Sequence, residues 1–494
     1  MQERSLILAI DVGALVLSST VFDQAGHTVL QTSHALEFTS PAHDWQELDA
    51  NAIWHALEQN LHDLSATIDL SQVQAVGICC QQSTCLIWDR QSGEVLGPVL
   101  AWNDRRTAPS IEALRDAGHA LLVQVTTGTA LHSQASASKL RWLLDHVPGA
   151  GGLLAVNQLL GSTLDSWLLW KLTNGQSVGT DYSNAQRTQL FTLDLFTWSP
   201  ELLRLFSVPP EILPIPQRGV RLWGNVQLKQ FPTLTAPISA VATRQAAASS
   251  GHGNDQIGTM LCSYDTNIVP TLWCGTRALG AREGLTTLIY NRKGEPQYSL
   301  SHTITGGALV LEWCRSRLMG ALSFDELLAL AASAPGDESV IFVPAFTGVA
   351  QSQYLGRAAI LGLQLSTDRS TIARAALESI AFQVTDALSE IQHLSKLNIH
   401  LFRADGKLAR SDLLMQLQAD LLGIPVERSR YRNFAALGIA QLAAQGAKLA
   451  ISEDFLRNGA GTVQRFEPRI SQKKREQRLS LWHAGIKRAL NWAS

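Results

Sequence analysis

Apolar residues at Ile372, Ala376, Ile380, Val384, Leu388 and Ile391 recur at helical spacing between Thr371 and Leu394, with Glu378 and Asp386 among the polar positions, and predict a long helix there. Shorter helices are expected at Ala50 to Leu64, Ser138 to Asp145, Leu413 to Leu422 and Leu437 to Ala444. Strands are expected between them at Ala75 to Cys79, Cys85 to Asp89 and Val340 to Val343, so the pattern is α/β. Near the start, β-rich runs Leu6 to Ile10 and Val16 to Phe22 flank Asp11-Val12-Gly13 and read as a hairpin, with Asp23-Gln24-Ala25-Gly26 as the next turn. A similar arrangement recurs where Thr259 to Cys262 and Ile268 to Trp273 flank Asp265-Thr266-Asn267. The recurrence suggests two related halves, residues 1–248 and 249–494, divided near residue 249 at the small-residue run Ala246 to Ser250.

Length fits that division, since 494 residues exceed what one hydrophobic core usually supports. Hydrophobic residues make up 46% of the chain and charged residues only 17%, and 13 Trp need burial, which argues against disorder. A net charge of -2 gives no electrostatic reason for a nucleic-acid or membrane partner. The basic run Lys473-Lys474-Arg475 beside Glu476 reads as a solvated helix face. Six cysteines without a C-x-x-C pair form neither a disulfide framework nor a zinc site and are expected to be reduced and mostly buried. The opening Met1-Gln2-Glu3-Arg4 and short apolar strand lack a signal peptide's h-region, and no stretch reaches transmembrane length, so a cytoplasmic setting is expected.

Ordered strings then carry a resemblance. They are Asp44-Trp45-Gln46-Glu47-Leu48-Asp49, Ala101-Trp102-Asn103-Asp104-Arg105-Arg106-Thr107, Thr163 to Thr173, Asp181-Tyr182-Ser183-Asn184-Ala185, Val343-Pro344-Ala345-Phe346-Thr347-Gly348, Ala376 to Gln383 and Gln416 to Gly423. In order and spacing the chain resembles the FGGY carbohydrate kinases, on their glycerol kinase side, nearly end to end. The resemblance implies two actin-like (ribonuclease H-like) α/β domains with a cleft between them, Mg-ATP as cofactor if the protein is active, and a homo-oligomer.

Phosphoryl transfer to a hydroxyl requires a phosphate cradle, Mg²⁺ and a carboxylate to accept the hydroxyl proton. The family's first turn, Asp-x-Gly-Thr-Thr-Ser, reads here Asp11-Val12-Gly13-Ala14-Leu15-Val16. Asp11, the metal-holding position, and Gly13 persist, but the hydroxyls are gone, each worth about 1.5–3 kcal/mol as a bond to a charged group. Where the family carries its catalytic Asp, before a run of alanines, this chain has Arg244. Arginine cannot act as a base, and losing a base costs about 10²–10⁴-fold in rate. The second phosphate turn is Asp265-Thr266-Asn267, with Thr266 kept and the flanking glycines absent, and the adenosine wall reads Asp405-Gly406-Lys407. In the acceptor pocket the family's Arg-Glu pair becomes Gln82-Ser83 after Gln81, its tyrosine becomes Gln134, and Trp102 remains to pack a sugar face or a core.

These residues point to a catalytically impaired member kept for ligand binding or regulation, its ligand a sugar, polyol or sugar phosphate. Arg244 suggests an anionic ligand, either sugar phosphate or carboxylate. Two other readings stay open. One is an active ATP-dependent sugar or polyol kinase of altered specificity that uses Asp11, Asp104, Asp181 or Glu47 as base. The other is an interaction protein with no cofactor, its cleft filled by Leu15 and Val16.

Overall fold

The computed structural model describes residues 5–490 apart from 254–255, 266, 292, 305–308, 321, 335–338, 346–357, 430, 432, 454 and 456–462. Two compact units divide the chain. One comprises Met1–Asp255, Gly275–Ser299 and Asn433–Ala460, the other Gln256–Cys274, Leu300–Arg432 and Gly461–Ser494.

In the first unit β1 (Leu6–Val12) and β2 (Val16–Phe22) form the expected antiparallel hairpin, closed where Gly13 N donates to Val16 O at 2.9 Å. They join β3 (Thr28–Ala35), β5 (Val73–Cys80), β13 (Val220–Asn225) and β14 (Pro237–Thr243) in a six-stranded sheet of order β13-β14-β5-β1-β2-β3. A second sheet has the order β4-β7-β6-β8, from β4 (Glu47–Leu48), β6 (Cys85–Asp89), β7 (Val95–Leu100) and β8 (Leu159–Thr163). Short pairs link β9 (Thr180–Asp181) with β12 (Pro216–Gln217), and β10 (Phe191–Thr192) with β11 (Thr197–Trp198).

The two-residue period of β5 assigns its faces. Val76, Ile78 and Cys80 enter a core shared with Ile53, Leu57, Leu61 and Leu64 of the helix Ala50–Ser65. On the other face lie the small Ala75, Gly77 and Cys79. There the helix Phe434–Gly446 comes so close that a Cβ at Gly77 would stand 2.6 Å from Ile439 O. The same helix packs on the helix Arg244–Gly251, and a Cβ at Gly438 would fall 1.8 Å from Ala247 O. The alanine–serine run expected to mark a boundary is therefore helical, and its small side chains allow this approach.

The second unit carries β15 (Thr259–Tyr264) and β16 (Ile268–Gly275) as an antiparallel pair, again as expected. Near them in the chain β17 (Thr286–Tyr290) and β18 (Pro296–Ser301) follow, and later β19 (Ile341–Val343) pairs with β20 (Ala359–Leu361). The sheet order continues from β16 through β15, β21 (Leu401–Asp405) and β22 (Val426–Ser429) to β23 (Val463–Phe466). The long helix runs Arg369–Ser395, started by Asp368, whose carboxylate accepts from Thr371 N at 2.8 Å. Lys473 and Lys474 are exposed on the helix Gln472–Leu490. All six cysteines are buried and unbridged. No helix among the described residues is long and apolar enough to cross a membrane.

Candidate functional site

Three adjacent strands of the first sheet, β14, β5 and β1, run parallel, and their register aligns Thr243, Cys80 and Val12 at the carboxyl ends. The next residues, Arg244, Gln81 and Gly13, therefore leave the sheet side by side, on the edge where open α/β sheets bind ligands. Gln81 N is tied to Val12 O at 2.8 Å. Thr243 caps the helix Arg244–Gly251 by accepting from Ala246 N at 3.2 Å, while Thr243 N donates to Ser183 Oγ at 2.9 Å.

Ser183 is held in turn by Asp181. Asp181 accepts from Ser183 Oγ at 2.6 Å, Asn184 Nδ2 at 2.6 Å and the Tyr290 hydroxyl at 2.6 Å. Burial raises the Asp181 carboxyl, and its hydrogen bonds oppose that rise. Burial, and then the charge of Asp181, pushes Asp165 up to about 7.

Arg244 and Asp11 meet directly at this edge. Nε donates to Asp11 Oδ1 at 2.6 Å and Nη2 to Oδ2 at 3.2 Å, and the buried Cys79 thiol adds a 3.5 Å contact to Oδ1. The Asp11 side chain is 4% exposed and that of Arg244 44%. Gly13 leaves room for the guanidinium, whose Cζ would lie 3.5 Å from a Cβ there. Leu15 and Val16 do not pack into this site, being 63% and 45% exposed.

The loop expected to face an acceptor follows Gln81. Ser83 holds a left-handed conformation, with φ 62, that is uncommon for a residue with a side chain. Its carbonyl accepts from Lys139 Nζ at 2.7 Å and Ser136 Oγ at 3.2 Å, and its hydroxyl donates to Arg187 O at 3.1 Å. Lys139 also donates to Ala101 O at 2.9 Å, and Trp102 N donates to Thr84 Oγ1 at 3.1 Å, so one ammonium joins the loops at 81–84 and 101–107. Trp102 and Gln134 are half-buried, Gln134 in the turn before the helix Ser136–His146.

The loop after Trp102 is fixed by Asp104, which binds Gln46 N at 2.7 Å and Arg106 Nε at 3.0 Å. Arg106 lies between the rings of Trp45 and Trp142, 3.9 and 4.4 Å from their centroids, and reaches Glu47 Oε1 at 2.7 Å. Lys139, Arg187, Ser183 and Thr243 were not singled out from the sequence. Only Lys139, a lysine beside Leu140 and Leu143 in a predicted helix, left a readable signal there.

In the second unit Asp265 accepts from Lys407 N at 3.0 Å, which occupies that carboxylate oxygen with backbone. Gly406 has φ +91, and a Cβ there would stand 2.6 Å from Tyr264 O, so the turn requires glycine. The Lys407 side chain is exposed. Thr266 lies outside the described residues.

Comparisons with known proteins agree over the whole chain. Residues 6–251 match the N-terminal domain of the FGGY family of carbohydrate kinases and residues 260–447 its C-terminal domain. The chain is 37% identical to a glycerol kinase of Dechloromonas aromatica (strain RCB), covering 100% of both. A glycerol kinase of Janthinobacterium sp. (strain Marseille) is 36% identical, with 99% of each covered. Among solved structures, Plasmodium falciparum glycerol kinase with ADP superposes with TM-score 0.91 at 25% identity, over 99% of this chain and 98% of that one. A ligand-bound xylulose kinase from Lactobacillus acidophilus gives 0.85 at 20% identity, over 99% and 98%, a likeness of fold. These neighbours bear out the expected two-domain, actin-like α/β architecture.

Proposed function

This chain belongs to the FGGY family of carbohydrate kinases, and on that premise we propose that it is a glycerol kinase-like member with impaired phosphoryl transfer, serving as a ligand-binding or regulatory protein. The observation that carries the reading is the Arg244–Asp11 pair. A guanidinium cannot take the proton of an acceptor hydroxyl. It also engages both oxygens of the carboxylate expected to hold Mg²⁺, so the donor set around Asp11 does not suit a divalent cation. Among the described residues no group of three His, Cys, Asp or Glu side chains is placed to share a metal ion.

The alternative is an active ATP-dependent sugar or polyol kinase of altered specificity, favoured by the full-length similarity to proteins named glycerol kinases. It needs a substitute base, and the candidate carboxylates are already engaged. Asp104 and Glu47 bind Arg106, Asp181 binds Ser183, Asn184 and Tyr290, and Asp11 binds Arg244. The small-molecule ligand and homo-oligomeric assembly are carried over from the family resemblance and the cytoplasmic setting from the sequence pattern, and all three remain part of the proposal.

An ATP-consumption assay with Mg-ATP and glycerol, xylulose or other neutral acceptors tests the reading. The parent is expected to show background turnover, and Arg244→Asp to raise it by about 10²-fold. Robust turnover by the parent would sink the proposal.

A further inference from the structure

Two basic groups border the loop that follows Gln81 with only neutral partners in hydrogen-bond contact. Lys139 is fully buried, and its ammonium rests on the carbonyls of Ser83 and Ala101. Arg187 is half-buried and uses Nη2 on Gln245 Oε1 at 2.8 Å and Thr287 Oγ1 at 3.0 Å. No described residue bonds its Nε or Nη1. Both charges reach His132, whose imidazole is pulled down to about 4 by burial and then by Arg187 and Lys139. Burial alone pulls Arg187 down to about 10, with no carboxylate acting to hold it up. The Asp104 carboxylate acts on Lys139 across space but is itself bonded to Arg106.

Burying cations without counter-ions is costly, and proteins resolve that cost by pairing them. The acids that could do so are missing or engaged. Ser83 stands where the resembled family has Glu, and Asp104, the carboxylate that acts on Lys139, is held by Arg106. The anion suggested by Arg244 in the sequence is thus better received by Arg187. Around the loop whose Ser83 hydroxyl donates to Arg187 O, several polar atoms lack partners. Gln81 is only 6% exposed, yet its Nε2 and Oε1 both lack partners among the described residues, as do Gln82 Oε1, Asn103 Oδ1 and His132 Nδ1. Buried amides left open in this way need a ligand with hydroxyls.

We propose that the site at this loop takes a small polyhydroxy compound bearing one oxyanion, carboxylate or phosphate, with the oxyanion on Arg187 and hydroxyls on the Gln81 and Gln82 amides. The inference rests on the ligand-binding reading above and names its ligand class.

Titration calorimetry on the full chain tests it with matched probes: gluconate against sorbitol for a carboxylate, glycerol 3-phosphate against glycerol for a phosphate, and inorganic phosphate alone. One anionic probe is expected to bind at least about ten-fold tighter than its neutral match, and which arm responds identifies the oxyanion. Raising the salt concentration should weaken that probe and leave its neutral match unchanged, a readout that needs no variant. Arg187→Gln, and separately Ser83→Glu, should each remove the preference by about ten-fold, with circular dichroism checking that the variants fold. Neutral probes binding equally well, no heat from any probe, or both folded variants keeping the preference overturns the proposal. Inorganic phosphate matching the best polyol does so too. The ATP-consumption assay separates the two readings. Turnover defeats the impaired-kinase reading while the affinities still decide the ligand class, and a silent assay without anion preference defeats the ligand class alone.

Discussion

Lys139 shows how a single side chain can hold two loops together at a cost. Its ammonium fixes the left-handed Ser83 and the Trp102 loop together, and burial pulls it from the ordinary 10.5 down to about 8. Below about pH 8 it is charged in both folded and unfolded chains, and the folded state bears the full burial cost. Between about 8 and 10.5 the unfolded chain keeps a proton that the folded chain has released, so stability rises with pH across that window. Lys139→Met should lack this rise, and the difference between the two urea-unfolding curves should change by about 3 kcal/mol from pH 8 to pH 10.5. Parallel curves would mean that the ammonium is not desolvated. Asp11, Gly13 and Arg244 were legible in the sequence as motif positions because spacing along the chain carries that information. That Arg244 would turn onto Asp11, and that Arg187 and Lys139 would border the same loop, depends on contacts between segments up to 233 residues apart, which periodicity cannot encode.

At the scale of elements, hydrophobic spacing placed the helices and strands it singled out to within a few residues. The helix expected at Thr371 to Leu394 runs Arg369–Ser395, and the strand expected at Cys85 to Asp89 has those bounds. Ends differ by a few residues. Asp368 caps the long helix and starts it earlier than its apolar pattern does, and the helix expected from Ser138 begins at Ser136, whose hydroxyl donates to Ser83 O. Small residues were harder to read, because Ala246 to Ser250 resembles a linker by composition while serving as a packing surface. The contact of Gly438 with Ala247 O tests that role. Gly438→Ala is expected to cost about 3 kcal/mol or more, since backbone rather than a flexible side chain meets the added methyl. An unchanged midpoint in thermal unfolding would show that the two helices separate freely.

For the whole molecule, the chain returns after residue 432 to complete the first unit, and the helix Phe434–Gly446 covers Gly77, Cys79 and Ser239, whose hydroxyl donates to Ala443 O at 2.8 Å. A fragment ending at residue 255 should therefore lack a cooperative melt by circular dichroism, whereas the full chain should show one. A sharp transition in the fragment would show that the sheet stands without its late helix. Single-sequence patterns give no hint of this return, because each segment looks locally self-sufficient. During synthesis, at about 5–20 residues per second, the sheet that carries Asp11 and Arg244 must wait roughly 10–40 s for its covering helix to emerge. Throughout that interval the narrow face lined by Ala75, Gly77 and Cys79 is open on the ribosome, where a nascent-chain chaperone would be its natural substitute cover.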